Sequence, residues 1–112
     1  MQASLELIVA DSFFARLGGL LARPRLREGQ ALVLAPCTSV HTLFMRYAID
    51  VAFIDKQGRV MKLVEHLQPW RAASCWRAHA AVELAAGQAR RQGLLAGARI
   101  HALAGTESPS PN

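Results

Sequence analysis

The sequence predicts a β-rich α+β domain, and three observations support this class. Short apolar segments, alternating or continuous, recur along the chain, as expected of strands. Two of them, residues 49–55 and 60–67, are separated by Lys56-Gln57-Gly58-Arg59, a turn with glycine placed for a positive φ. They predict a β-hairpin. A longer amphipathic pattern near the N-terminus has the period of a helix, and 112 residues are enough for one domain.

The first third of the chain predicts two strands and a helix. Residues 4–10 alternate imperfectly and indicate a first strand. Asp11 and Ser12 offer N-cap oxygens to a following helix, whose apolar stripe runs over residues 13–21. Residues 30–35 form a short apolar run suited to a buried strand.

Beyond the hairpin, the pattern predicts two more strands and a short helix. The strands are residues 79–85 and 98–103, and the helix is 87–92. Residues 68–74 contain Pro69 and Trp70 and are expected to be irregular, with Trp70 and Trp76 as partly buried anchors. We expect residues 1–104 to form a single domain and the polar, proline-containing tail 105–112 to be disordered.

Composition restricts the partners and the compartment. Thirteen basic and eight acidic side chains give a net charge of +5, which permits anionic partners. Nucleic acid is not the expected partner, because basic residues are not seen interleaved with exposed aromatic residues along one element. The N-terminus lacks the features of a secretory signal, and no apolar run is long enough for a membrane span. The chain is therefore predicted to be cytoplasmic, with its two cysteines as free thiols.

Several functional classes lack their sequence motifs. The chain contains no phosphate-binding loop, dinucleotide fingerprint, zincin motif or hydrolase nucleophile elbow. No cofactor is therefore predicted, and whether the protein is an enzyme stays open.

A Cys-x-x-x-His spacing occurs twice, at Cys37/His41 and at Cys75/His79. Two thiolates and two imidazoles are a possible tetrahedral zinc set, although this spacing lacks the tight Cys-x-x-Cys knuckle. The alternative is that His41 activates the Cys37 thiol as a nucleophile, with Asp50 orienting the imidazole. In an extended chain, however, residues four apart are separated by about 13 Å. Both hypotheses are alternatives, and no metal site is predicted.

A polar cluster in an apolar context is the preferred candidate site. Asp50 leads directly into an apolar strand, where a carboxylate needs partners, and the sequence leaves open whether these are backbone groups or a ligand. Glu83 lies within another apolar strand and faces either solvent or a cationic partner. The candidate ligand-binding residues are His41, Thr42, Met45, Arg46, Asp50 and Glu83.

These residues also carry a family resemblance. The chain resembles domain-of-unknown-function family 192, the UPF 0127 proteins, over nearly its whole length to about Leu103. The matching pieces are Gly19-Leu20-Leu21, the His-Thr-x-x-Met-x-x-x-Ile-Asp-Val-x-Phe-Ile-Asp block at 41–55, Gly58-Arg59-Val60, 82–87 and 93–97.

The resemblance implies a curved, barrel-like, mainly antiparallel sheet with one or two short helices. It implies no settled activity, but the family pattern falls on His41, Thr42, Met45, Asp50 and Glu83. We therefore expect a small binding or accessory module that recognises an unidentified small ligand or protein. A cysteine-dependent enzyme and a zinc-binding module are the alternatives.

Overall fold

The structure is a computed structural model that describes residues 5–10, 25–43 and 45–100. Its elements, in chain order, are β1 (Glu6–Ala10), β2 (Gln30–Leu34), β3 (Ser39–His41), β4 (Ile49–Ile54), β5 (Val60–Leu67), β6 (Ala72–Ser74), β7 (Ala80–Ala85) and α1 (Gln88–Arg91). The helix predicted over residues 13–21, the end of the last predicted strand and the tail 105–112 lie outside the described residues.

Five strands form one mixed sheet in the order β1-β2-β7-β4-β5. β1 pairs with β2 in parallel, and the other neighbours are antiparallel. β3 and β6 form a separate antiparallel ribbon. The β-rich α+β class is thus confirmed. Within the described residues, the large sheet ends at β1 and β5 and is not closed into a barrel.

The central strands β4 and β7 are buried on both faces, because each face of the sheet is covered. Successive side chains of a strand point to opposite faces, so β4 supplies Ile49, Val51 and Phe53 to one core and Ala52 and Ile54 to the other. The first core also contains Val40, Met45 and Ala78, from the ribbon side. The second contains Ala89, Leu94 and Ile100, from α1 and the segment after it.

The local patterns predict the hairpin better than the ribbon. The predicted strand 60–67 coincides with β5, and the short helix predicted at 87–92 contains α1. The prediction that residues 68–74 are irregular is wrong for β6, which pairs with β3. Three-residue strands carry too little pattern, and their pairing is set by distant residues. Of the predicted strand 98–103 the structure describes residues 98–100, which form an isolated bridge between Arg59 and Arg99.

Candidate functional site

Asp50 is a fully buried carboxylate that accepts three backbone hydrogen bonds. Its Oδ1 accepts from the N–H of His66, at 2.9 Å. Its Oδ2 accepts from Gly87 and Ala89, at 3.0 and 2.9 Å. His66 lies in an irregularity of β5 and has a φ of 54°, while Gly87 is the N-cap of α1 with a φ of 88°.

This geometry gives Asp50 a structural role. The carboxylate joins β4 to the bulged part of β5 and to the start of α1, and it supplies acceptors that these irregular backbones need. Of the two interpretations that the sequence left open, the backbone-bonded one matches these contacts.

Thr42 is also fully buried and holds the loop that precedes β6. Its hydroxyl donates to the carbonyl of Gln68 at 2.6 Å and accepts from the N–H of Arg71 at 2.9 Å. The Thr42 carbonyl accepts in addition from the N–H of Trp70, at 3.0 Å. Thr42 thereby fixes residues 68–71 against the end of β3.

The candidate acids do not share a site. In the register of β4 and β7, Asp50 pairs with Leu84, whereas Glu83 pairs with Val51. Leu84 belongs to the second core and Val51 to the first, so the two carboxylates point to opposite faces of the sheet. Glu83 is fully buried on the face that the ribbon covers, and Met45 is a buried member of the same core.

His41 and Arg46 remain accessible. The Nδ1 atom of half-buried His41 accepts from the N–H of Leu43 at 3.3 Å. His41 lines a shallow depression of about 520 Å³ over the ribbon. Arg46 is exposed in the loop after β3. Of the six candidate residues, these two are the ones placed to meet a ligand from solvent.

The Cys37 thiol is placed as a structural group. Cys37 is buried, and its Sγ donates to the carbonyl of Ser39 at 3.1 Å. In this contact the thiol is directed at a backbone carbonyl and not at an imidazole. The described contacts of Cys37 and of His41 do not include each other, so the nucleophile alternative gains no geometric support.

The two Cys-x-x-x-His segments lie side by side. The N–H of Cys37 donates to the carbonyl of His79 at 3.1 Å, and the N–H of Cys75 donates to that of Thr38 at 2.8 Å. Within the described residues, which include all four possible ligands, no group of three or more His, Cys, Asp or Glu side chains is arranged to hold a metal ion. The backbones of the two Cys-x-x-x-His segments are hydrogen-bonded to each other, but their cysteine and histidine side chains are not arranged around a common metal position.

The feature that the sequence analysis missed is a pair of exposed tryptophans at the two ends of β6. Trp70 is 55% exposed and Trp76 is 81% exposed, so the expectation of a partly buried anchor is wrong for Trp76, and Trp70 is more exposed than buried. Each is followed by an arginine that contacts it. Arg71 Nη1 donates to the carbonyl of Trp70 at 3.3 Å, and the Arg77 guanidinium lies 5.4 Å from the Trp76 ring centroid.

The charged side chains in and around the ribbon are all basic. We call β3, β6 and their flanking residues, 36–47 and 66–79, the basic ribbon. In sequence it contains three arginines and three histidines and no aspartate or glutamate. The repeated Trp-Arg pair and the absence of acidic residues are readable in the sequence, but the exposure that makes them significant is a property of the fold.

A second depression, of about 370 Å³, adjoins the Trp76 end of the basic ribbon. Its ionisable lining residues are Lys56, Arg77, His79 and Asp55. The Asp55 carboxylate accepts from the N–H groups of Gln57 and Arg59, both at 2.9 Å. The bond from the Arg59 backbone lowers the pKa of Asp55 below its ordinary value of 3.8. The Asp55 carboxylate thus already accepts two backbone hydrogen bonds, and the cationic side chains of Lys56 and Arg77 line the same depression.

Comparison with known proteins identifies the family. The family model DUF192, described as "Uncharacterized ACR", matches residues 1–102. The chain belongs to the DUF192 family. The resemblance seen in the sequence is thus confirmed. In the part of this DUF192 chain that the structure describes, no helix is both long and apolar enough to cross a membrane.

Named relatives match part of this DUF192 chain. A UPF0127 protein of Thermococcus sibiricus is 36% identical over 67 residues, which are 56% of the chain and 43% of that protein. A UPF0127 protein of Pyrococcus furiosus is 42% identical over 71 residues, 60% of each. The chain thus spans about half the length of these relatives.

Solved structures share the fold. A protein of unknown function from Novosphingobium aromaticivorans superposes with a TM-score of 0.71 at 19% identity, covering 85% of the chain and 73% of that protein. A protein from Sinorhizobium meliloti gives 0.75 at 20% identity, covering 85% and 79%. At such identities the likeness shows the fold alone.

Proposed function

We propose that this DUF192 domain is a binding module that recognises an anionic ligand through the basic ribbon. The observation that carries the proposal is the pair of exposed tryptophans, each followed by an arginine that contacts its ring or its backbone, on a ribbon whose own residues include no acidic side chain. Interaction surfaces are enriched in Trp and Arg relative to the rest of a protein's surface.

The candidate residues divide into a scaffold and a surface under this proposal. Thr42 fixes the loop that carries Trp70, and Asp50 fixes β5 and α1 behind the ribbon. His41 and Arg46 stay accessible on the ligand side. Under this proposal Thr42 and Asp50 stabilise the fold beneath the basic ribbon, and His41 and Arg46 are available to contact the ligand.

The shape of the ribbon suits a ligand that lies across it. The inward side chains Val40 and Ala73 pack against the first core, whereas Ser39, Ala72 and Ser74 are exposed. Small outward side chains leave a shallow, open surface with His41 in it. No specific observation favours the cysteine-dependent enzyme, because the Cys37 thiol is engaged by a carbonyl.

The proposal is tested by titrating the full-length, ¹⁵N-labelled protein with two polyanions of different chemistry, an oligoglutamate and an oligothymidylate. We expect amide shifts at residues 39–41 and 70–77 with at least one of them, and none in α1. Shifts confined to α1, or no shifts with either polyanion, would contradict the proposal.

A matched pair of variants separates the site from net charge. Replacing Arg71 and Arg77 together by glutamine is expected to weaken binding at least fivefold. Arg90 lies on α1, is 81% exposed and pairs with Glu65 at 3.6 Å. Arg91, the next residue of α1, pairs with Glu28 at 3.5 Å. Replacing Arg90 and Arg91 together by glutamine also removes two positive charges but lies outside the basic ribbon, so the affinity of this variant should stay within twofold of wild type. Equal losses in both variants would show that binding depends only on total charge.

A further inference from the structure

We infer that the anionic ligand of the basic ribbon is a single-stranded nucleic acid. The inference rests on the proposed function and narrows its ligand class. The sequence offered one argument against a nucleic-acid ligand, namely that basic residues were not seen interleaved with exposed aromatic residues along one element. The structure supplies that arrangement along a single element, because β6 is bounded by Trp70-Arg71 and by Trp76-Arg77, with both indoles exposed.

The two indoles provide platforms for bases. Base stacking on exposed aromatic rings is a sequence-tolerant contribution to the binding of single strands, worth about 1 to 3 kcal/mol per base. Trp70 and Trp76 are six residues apart, so even a fully extended chain would separate their Cα atoms by at most about 22 Å. One short strand can therefore reach both. Bases in a duplex are already stacked, so this contact favours unpaired strands.

Cationic groups lie where a strand's phosphates would pass. The Arg77 guanidinium is held against the ring of Trp76, and the Arg71 guanidinium is held against the backbone of Trp70. Lys62 donates to the carbonyl of Ser74 at 2.8 Å, which adds a third cation beside β6. A base stacked on either indole thus has a cation next to it for the adjoining phosphate.

An acidic peptide fits the same surface less well. Peptides that add to a sheet gain affinity from a long free strand edge and from pockets for alternate side chains. β3 and β6 have three residues each, and their outward face carries small side chains and one imidazole. Such a surface offers few main-chain bonds and a shallow, open depression rather than a series of side-chain pockets, whereas base stacking on indoles needs neither.

The experiment measures fluorescence anisotropy of a labelled oligothymidylate of about 12 nucleotides, a length within the site sizes of such surfaces. The full-length protein is titrated at low and at raised salt. We expect saturable binding that weakens as salt increases, with quenching of tryptophan fluorescence, because phosphate contacts release counterions and bases cover the indoles. A duplex of the same length should bind more weakly.

Variants test the stacking directly. Trp76→Ala is expected to lower affinity at least fivefold, the equivalent of about 1 kcal/mol. Leu95→Ala also removes an exposed apolar side chain, 63% exposed and beyond α1, and should leave affinity unchanged. Arg77→Gln tests the same end without removing the ring and should both weaken binding and reduce its salt dependence. Amide spectra of each variant establish that it is folded.

The outcomes separate this inference from the proposed function. Binding of the oligothymidylate that depends on Trp76 supports both. Binding of the oligoglutamate at the basic ribbon without binding of the oligothymidylate overturns the nucleic-acid inference and leaves the proposed function standing. Failure of both polyanions overturns both. Oligothymidylate binding that Trp76→Ala and Arg77→Gln leave unchanged would also refute the assignment to this surface.

Discussion

The first prediction concerns Asp50, whose two carboxylate oxygens both accept backbone hydrogen bonds. Replacement by asparagine leaves one oxygen and puts an NH₂ group, a donor, in place of the other. If the remaining amide oxygen keeps the bonds from Gly87 and Ala89, the amide NH₂ faces the N–H of His66, and two donors oppose each other. The opposite orientation loses two bonds. Asp50→Asn is therefore expected to destabilise the fold in either orientation.

The magnitude follows from the contacts. A hydrogen bond to a charged acceptor contributes about 1.5 to 3 kcal/mol, and a buried donor left without a partner costs about 1 to 3 kcal/mol. One lost bond and two weakened ones give a loss of about 2 to 4 kcal/mol, a large fraction of the roughly 5 to 15 kcal/mol available to a domain. The melting temperature should fall by about 10 °C or more.

Urea unfolding followed by tryptophan fluorescence measures this loss as a shift of the midpoint at constant slope. Asp55→Asn is the matched control, since Asp55 also accepts two backbone bonds but at an exposed turn, and its loss should be clearly smaller. A stability of Asp50→Asn within about 0.5 kcal/mol of wild type, the range of ordinary surface substitutions, would refute the structural role. Lost ligand binding in such a variant would place Asp50 in the ligand site.

Three further predictions follow from the same contacts. Thr42→Val keeps the side-chain shape but leaves groups of the loop 68–71 unpartnered, so unfolding in urea should show a loss of about 1 to 3 kcal/mol, against almost none for exposed Ser39→Ala. Because the pKa of Asp55 is lowered in the folded state, the Asp55 carboxylate stabilises the fold above pH 3.8, the ordinary pKa, and this stabilisation is lost as the pH falls through the folded pKa. A carboxyl NMR titration of Asp55 with a midpoint at or above 3.8 would contradict this prediction. Finally, native-state alkylation followed by mass spectrometry should modify half-buried Cys75 before buried Cys37, whereas preferential modification of Cys37 would revive the nucleophile hypothesis.

Local pattern was sufficient for the strands that build the two cores. β5 was predictable to the residue because the glycine turn fixes its start and the preceding strand β4 supplies its pairing partner. The ribbon was not predictable in the same way. Its strands are too short for periodicity, and Thr42 and the loop before β6 hold it in place through contacts distant in sequence.

The candidate site was only partly accessible to sequence reasoning, for a geometric reason. Asp50 and Glu83 both interrupt apolar strands and therefore look alike in sequence. Which sheet face each occupies depends on the register between β4 and β7, which places them on opposite faces. Likewise, the sequence does not distinguish a buried tryptophan next to an arginine from an exposed one. Trp76 is exposed because it lies in the turn between β6 and β7.

The single carboxylate of Asp50 also has a consequence for how the chain folds. Its three donors lie 16, 37 and 39 residues away in sequence, on two separate segments. A partly folded chain that buried Asp50 with only one of these segments in place would bury a charge with too few partners, which is unfavourable. Assembly of β4, the bulge of β5 and the start of α1 is therefore expected to be all-or-none, and partial unfolding that frees α1 alone should be suppressed.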